Sequence, residues 1–123
     1  MISSRIKTPQ SKMTNYKILE YESYPSDTEI DAYYNSKSAD GVGELHCVSY
    51  KKKFPSQRQL EERAKQKLEQ AVNVYLVDGW KLQGSMNVLN KGRSYYPTFK
   101  MSSSDWQEEF IERISYSQAI YKE

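Results

Sequence analysis

LEERAKQKLEQAVNVYLVDGWKLQGSMNV, residues 60–88, changes its hydrophobic period partway through. Leu60, Ala64, Leu68, Ala71, Val72 and Tyr75 recur at spacings of three and four. Such a stripe marks one face of an amphipathic helix. From Trp80 the period becomes two. Trp80, Leu82, Gly84, Met86 and Val88 fall on one side, and Lys81, Gln83, Ser85 and Asn87 on the other. Strict alternation marks a half-buried strand. Asp78-Gly79 separates the two patterns, and glycine suits the left-handed residue that follows a helix. Upstream, Ser56 with Gln59 three residues later forms a capping box. Glu61 with Lys65, and Lys65 with Glu69, add i,i+4 pairs on the outer helix face. The spacing therefore predicts a long helix running directly into a strand.

Shorter elements are expected on either side. Thr14 to Tyr24 alternates as a strand and stops at Pro25. Ser26 and Glu29 form a second capping box, opening a short helix that carries Ile30, Tyr33 and Tyr34 and ends before Gly41. Asp40-Gly41-Val42-Gly43 reads as a turn, and Glu44 to Tyr50 as a strand with Leu45 and Cys47 on one face. Asn90-Lys91-Gly92 reads as another turn, followed by an irregular aromatic loop, Arg93 to Ser104. Ser104 with Gln107 is expected to cap a further short helix bearing Trp106 and Phe110. Glu112 to Tyr121 closes the chain as a strand with Ile114, Tyr116, Gln118 and Ile120 on one face. The expected fold class is α+β: a small antiparallel β-sheet packed on one long amphipathic helix, with a second short helix. Residues 1–13 form a basic N-terminal tail, and residues 14–123 a single domain.

Composition narrows the function classes. The chain has 123 residues, 37% hydrophobic and 28% charged, which allows one globular core. Mean hydropathy is −0.87, but eleven Tyr, three Phe and two Trp supply apolar bulk that the scale undervalues. Net charge is +2; Arg5, Lys7 and Lys12 lie in an acid-free tail, so the excess belongs to that tail. One cysteine, Cys47, permits no internal disulfide, and the expected compartment is the reducing cytoplasm. No window is apolar enough for a membrane span. His46 and Cys47 are neighbours, so on a strand they point to opposite faces and form no dyad. No second His, paired Cys or phosphate-cradling glycine motif is present. The carboxylates Asp105, Glu108, Glu109 and Glu112 read as a solvated face. Hence no catalytic residue, no cofactor and no metal are expected, and the protein is taken as no enzyme.

The run Val72-Asn73-Val74-Tyr75-Leu76-Val77-Asp78-Gly79-Trp80-Lys81-Leu82-Gln83-Gly84, with Tyr116-Ser117-Gln118-Ala119-Ile120-Tyr121-Lys122, resembles the small bacterial and phage family called domain of unknown function 1737. The likeness covers residues 60–89 and 112–122 and extends in plan to the first strand. It implies a fold and a phage, viral or mobile-element origin, but no activity. Residues 25–53 and 90–111 read as insertions relative to that plan.

The same residues have a physical reading. Gly79 reverses the chain, Trp80 packs back near Tyr75 or Leu76, and Gly84 lets helix and sheet approach closely. Recognition is expected on the aromatic excursion, with Arg93, Tyr95, Tyr96, Phe99 and Lys100 as partner-binding residues; the bland alternative is rings folded over a sheet edge. The expected function is that of a non-enzymatic accessory protein binding a protein or small-molecule partner, or a second copy of itself. The alternative is single-stranded nucleic acid or RNA. Lys51, Lys52, Lys53 and Arg58 begin a segment, 51–67, with seven basic residues against two acids.

Overall fold

A computed structural model describes residues 14–42, 45–102 and 105–123. The tail 1–13, Gly43 of the expected turn, the Glu44 strand start and the Ser104 cap lie outside the described residues. In chain order the elements are β1 (Asn15–Glu22), α1 (Asp27–Asn35), β2 (Lys37–Val42), β3 (Leu45–Tyr50), α2 (Gln57–Val77), β4 (Lys81–Met101) and β5 (Gln107–Lys122). The strands make one sheet in the order β1-β5-β4-β3-β2, with every neighbouring pair antiparallel. Among the described residues, no helix is long and apolar enough to cross a membrane.

The expected fold class is overturned. The sheet is not small: five strands hold 53% of the structure against 29% in two helices, so the sheet, and not a long helix, organises the fold. Three segments account for the difference. Residues 37–42, expected as the end of a short helix and the turn from Asp40, form β2. The aromatic excursion is no loop, because β4 runs unbroken for 21 residues through it. Trp106 and Phe110, expected on a further short helix, lie on none: Trp106 precedes β5 and Phe110 is within it. Ser94-Tyr95-Tyr96-Pro97-Thr98-Phe99 is rich in residues that fit a pleated surface. Pro97 fits inside β4 because the register against β5 shifts between Pro97 and Phe99.

Gly84, expected to admit a close helix, and Asn90-Lys91-Gly92, expected as a turn, are instead bulges within β4. Register also shifts between Gln83 and Asn87, and between Asn90 and Arg93. Gly84 (φ 71°) and Gly92 (φ 106°) carry the left-handed backbone there. A Cβ at Gly84 would meet nothing within 4 Å, so dihedral freedom, and not close helix approach, explains the glycine. The Gln118 amide donates to the Gly84 carbonyl at 3.0 Å and satisfies the bulge.

Both helices start from capping boxes, Ser26/Glu29 and Ser56/Gln59. α2 ends in a Schellman arrangement. The Gly79 N–H donates to the Leu76 carbonyl and the Trp80 N–H to the Tyr75 carbonyl, with Gly79 at φ 92°. Trp80 then meets the Tyr75 ring edge-on at 5.4 Å. The i,i+4 pairs take other partners: Glu61 accepts from Tyr116 Oη and Gln57 Nε2, and Lys65 lies over the Tyr116 ring.

α2 rests on β1 and β5 and barely reaches β4. Its Ala64 and Leu68 pack on Tyr116, ringed by Leu19, Tyr21, Val72 and Ile114. The β4 face of Leu82, Met86 and Val88, whose alternation predicts a half-buried strand, is instead open: Leu82 is 51% and Val88 57% exposed, and Met86 is exposed too.

Candidate functional site

The far end of the sheet, away from the α2 core, gathers rings and lysines. Tyr33 of α1 is buried between Phe54 (4.3 Å, stacked) and Tyr50 (4.7 Å, stacked), with Tyr34 and Tyr96 meeting it edge-on. Its hydroxyl donates to the Pro97 carbonyl. Burial among these rings pushes the Tyr33 phenol up to about 12. Tyr96 is raised by burial and by Glu109 beside it. These rings form a second core that pins α1 to β3 and β4.

Tyr50 leads outward to Trp106, with ring centres 5.9 Å apart. Lys37 from β2 and Lys100 from β4 both place Nζ over the Trp106 ring, at 5.8 and 5.9 Å. Lys51, Lys52 and Lys53 follow Tyr50 and are exposed. Their backbone is anchored to the end of α1, since the Lys52 N–H donates to Ser36 Oγ at 3.0 Å. Among the described residues none of these five lysines, nor Arg58, makes an ion pair. The carboxylates do pair elsewhere: Glu29 with Arg63 at 2.8 Å, and Glu22 with Arg113 at 2.8 Å. The Arg63 guanidinium beside Glu29 holds that carboxyl below its usual value.

Lys52 and Lys53 also stand on the shared wall of two clefts. One, of about 540 Å³, opens toward Glu29, Gln59 and Arg63. The other, of about 450 Å³, lies against Tyr33, Tyr50, Tyr96, Thr98 and Glu109.

The five residues expected to bind a partner are not brought together. Register sets Tyr95 opposite Phe110 and Tyr96 opposite Glu109, so adjacent Tyr95 and Tyr96 lie on opposite sheet faces. Tyr96 joins the buried cluster, and Lys100 stands over Trp106. Arg93 covers the Phe110 ring at 4.1 Å and reaches Glu112 at 3.5 Å, beside exposed Tyr95. Phe99 is half-buried opposite Ser49 and Gln107. Gly79, Trp80 and Gly84 lie at the other end of the sheet and serve the α2 terminus and the first bulge. Cys47 is half-buried on β3 directly after His46, and no group of acids, His and Cys suited to a metal occurs among the described residues.

Lys37 and Trp106 escaped sequence reasoning. Lys37-Ser38-Ala39-Asp40 shows no alternation, and Trp106 was placed on a helix. Only the β2-β3-β4 pairing brings Lys37 and Lys100 to one ring.

The chain matches no family model, no curated protein and no solved structure.

Proposed function

We propose that the protein binds single-stranded nucleic acid through the surface formed by Lys37, Lys51, Lys52, Lys53, Lys100 and Trp106. One observation carries this reading: two ammonium groups from different strands converge on a single indole with no described carboxylate paired to either. Two ammonium groups each within about 6 Å of one indole raise the local positive potential, which attracts phosphate. A ring flanked by cations matches what a base and its phosphates require. The aromatic stretch from Arg93 to Met101 offers no recognition loop, because it is part of a strand with Tyr96 turned inward.

Fluorescence anisotropy of labelled oligo(dT) and oligo(U) tests the reading. Replacing Lys51, Lys52 and Lys53 with Ser should lower the log–log salt slope by about 2, at roughly 0.7 per lost phosphate contact. Trp106→Ala should weaken binding by about 1–3 kcal/mol. No binding at low salt, or an unchanged slope, removes the proposal.

A second reading rests on Arg93, Tyr95 and Phe110. An arginine over an exposed aromatic pair has the composition of a protein-binding hot spot. Tyr95→Ala would then abolish capture of a protein partner while leaving oligonucleotide binding intact.

A further inference from the structure

β1 is an outer strand of the sheet, and among the described residues no strand pairs with its other edge. It pairs with β5 through eight consecutive residues without a bulge. It contains no Pro or Gly. Edge strands are normally guarded by such interruptions or by charges along the strand; the two acids of β1 are engaged within the chain, Glu20 by Ser115 and Lys91, and Glu22 by Lys91 and Arg113. Lys17 does not serve here, because its Nζ folds back over the Tyr75 and Trp80 rings, at 5.8 and 6.0 Å. Ile18 is 73% exposed in the middle of the strand. The opposite edge differs: β2 has six residues and includes Lys37, Asp40 and Gly41.

A second apolar surface overlooks the same edge. The α2 flank of Lys65, Glu69 and Asn73 borders Leu82 and Met86 of β4. α2 spans β1 and β5, so the flank opposite, with Lys67, Ala71 and Val74, hangs over the outer side of β1. Val74 is 69% exposed there. Lys17 reaches Tyr75, whereas Leu19 and Tyr21 pack near Ala64 and Leu68, so α2 runs antiparallel to β1. Val74 therefore stands at the level of Ile18, across the thickness of the sheet.

We propose that β1 pairs antiparallel with β1 of a second copy about a two-fold axis at Ile18, giving a ten-stranded sheet with the two α2 helices side by side above it. The spacing fits. α2 touches β1 and β5 to the same extent; an axis midway between strands about 4.8 Å apart lies about 2.4 Å inside β1, and the two-fold about 2.4 Å outside it. The two helix axes are then about 10 Å apart, at the upper end of the usual 8–10 Å for packed helices. Same-face pairing requires an even register sum. Centring on Ile18 brings Ile18 to Ile18 on one face and Val74 to Val74 on the other. A second copy suits this surface because the geometry is self-complementary in both layers at once. The surface is remote from Trp106 and its lysines, so dimer formation stands or falls apart from nucleic-acid binding.

Sedimentation of the full chain over a concentration series decides it. The wild type should approach twice 14.4 kDa. Ile18→Lys and Val74→Glu, both on exposed positions, should each raise the dissociation constant by about tenfold or more while thermal melting of the monomer is unchanged. In a Cys47→Ser background, Val74→Cys should be joined into a covalent dimer by a short bismaleimide, and Leu82→Cys should not. A chain that stays monomeric, as it would if its own residues 1–13 occupied the edge, overturns the proposal. So does a dimer indifferent to both charge substitutions or lacking the Val74 cross-link.

Discussion

Tyr33 shows how one side chain joins α1 to the sheet. Its ring is stacked on both faces and its hydroxyl is spent on a backbone carbonyl. The sequence placed Tyr33 on a helix stripe but gave no sign that Phe54, Tyr50 and Tyr96 would surround it, since these residues come from three separate segments. The burial has a pH consequence. The folded phenol titrates near 12 against 10.0 for an unperturbed tyrosine. A raised pKa favours the protonated native state, so its contribution is complete below pH 10 and is lost as pH climbs from 10 toward 12. Melting temperatures followed by circular dichroism should hold steady up to pH 10 and then fall. Tyr33→Phe should cost about 1 kcal/mol at neutral pH, through the lost hydrogen bond to Pro97, and should flatten the alkaline fall. An equally steep fall in the variant would assign the alkaline sensitivity to other tyrosines.

At the level of elements, β5 is the strand on which the others depend, and its least obvious support comes from side chains. β1 stops at Glu22, but β5 continues, leaving backbone groups of Glu112 and Ile114 without a strand partner. Ser23 Oγ donates to the Glu112 carbonyl and accepts the Ile114 N–H, each at 2.8 Å. Gln57, at the first turn of α2, accepts the Glu112 N–H and donates back to its carbonyl, at 3.0 and 2.9 Å. One amide side chain thus imitates a residue of a neighbouring strand. Ser23→Ala and Gln57→Ala should each cost about 1–3 kcal/mol, because buried backbone groups lose their partners. The two share Glu112, so their costs should not add in a denaturant double-mutant cycle. Strict additivity would mean the two contacts act independently. None of this was legible in the sequence: Ser23 and Gln57 carry no periodic signal, and their partner lies over fifty residues away in the chain. The capping boxes and the Gly79 terminus were legible, because each depends on residues within one turn. β2 and the aromatic half of β4 were not, because pairing with β3 and β5 decides them and local composition favours loops.

For the whole molecule, the question is where the core lies. Alternation from Trp80 to Val88 fixes which residues share a face, but not whether anything covers that face. α2 has room over only two strands, and β1-β5 takes it, since those strands supply Leu19, Tyr21, Ile114 and Tyr116 together. The helix-facing residues of β4 are left in water. Sequence periodicity sees a stripe in either case, so burial there is a property of sheet order alone. Stability measurements separate the two arrangements. Leu68→Ala removes a side chain that is 3% exposed and should cost about 2–5 kcal/mol, and Ile120→Ala, fully buried, a similar amount. Leu82→Ala, at a half-exposed position, should cost less than about 0.5 kcal/mol in urea unfolding. With α2 over β4 instead, Leu82 would be as costly to truncate as Leu68. Equal penalties at those two positions would therefore reject the placement of α2 over β1 and β5.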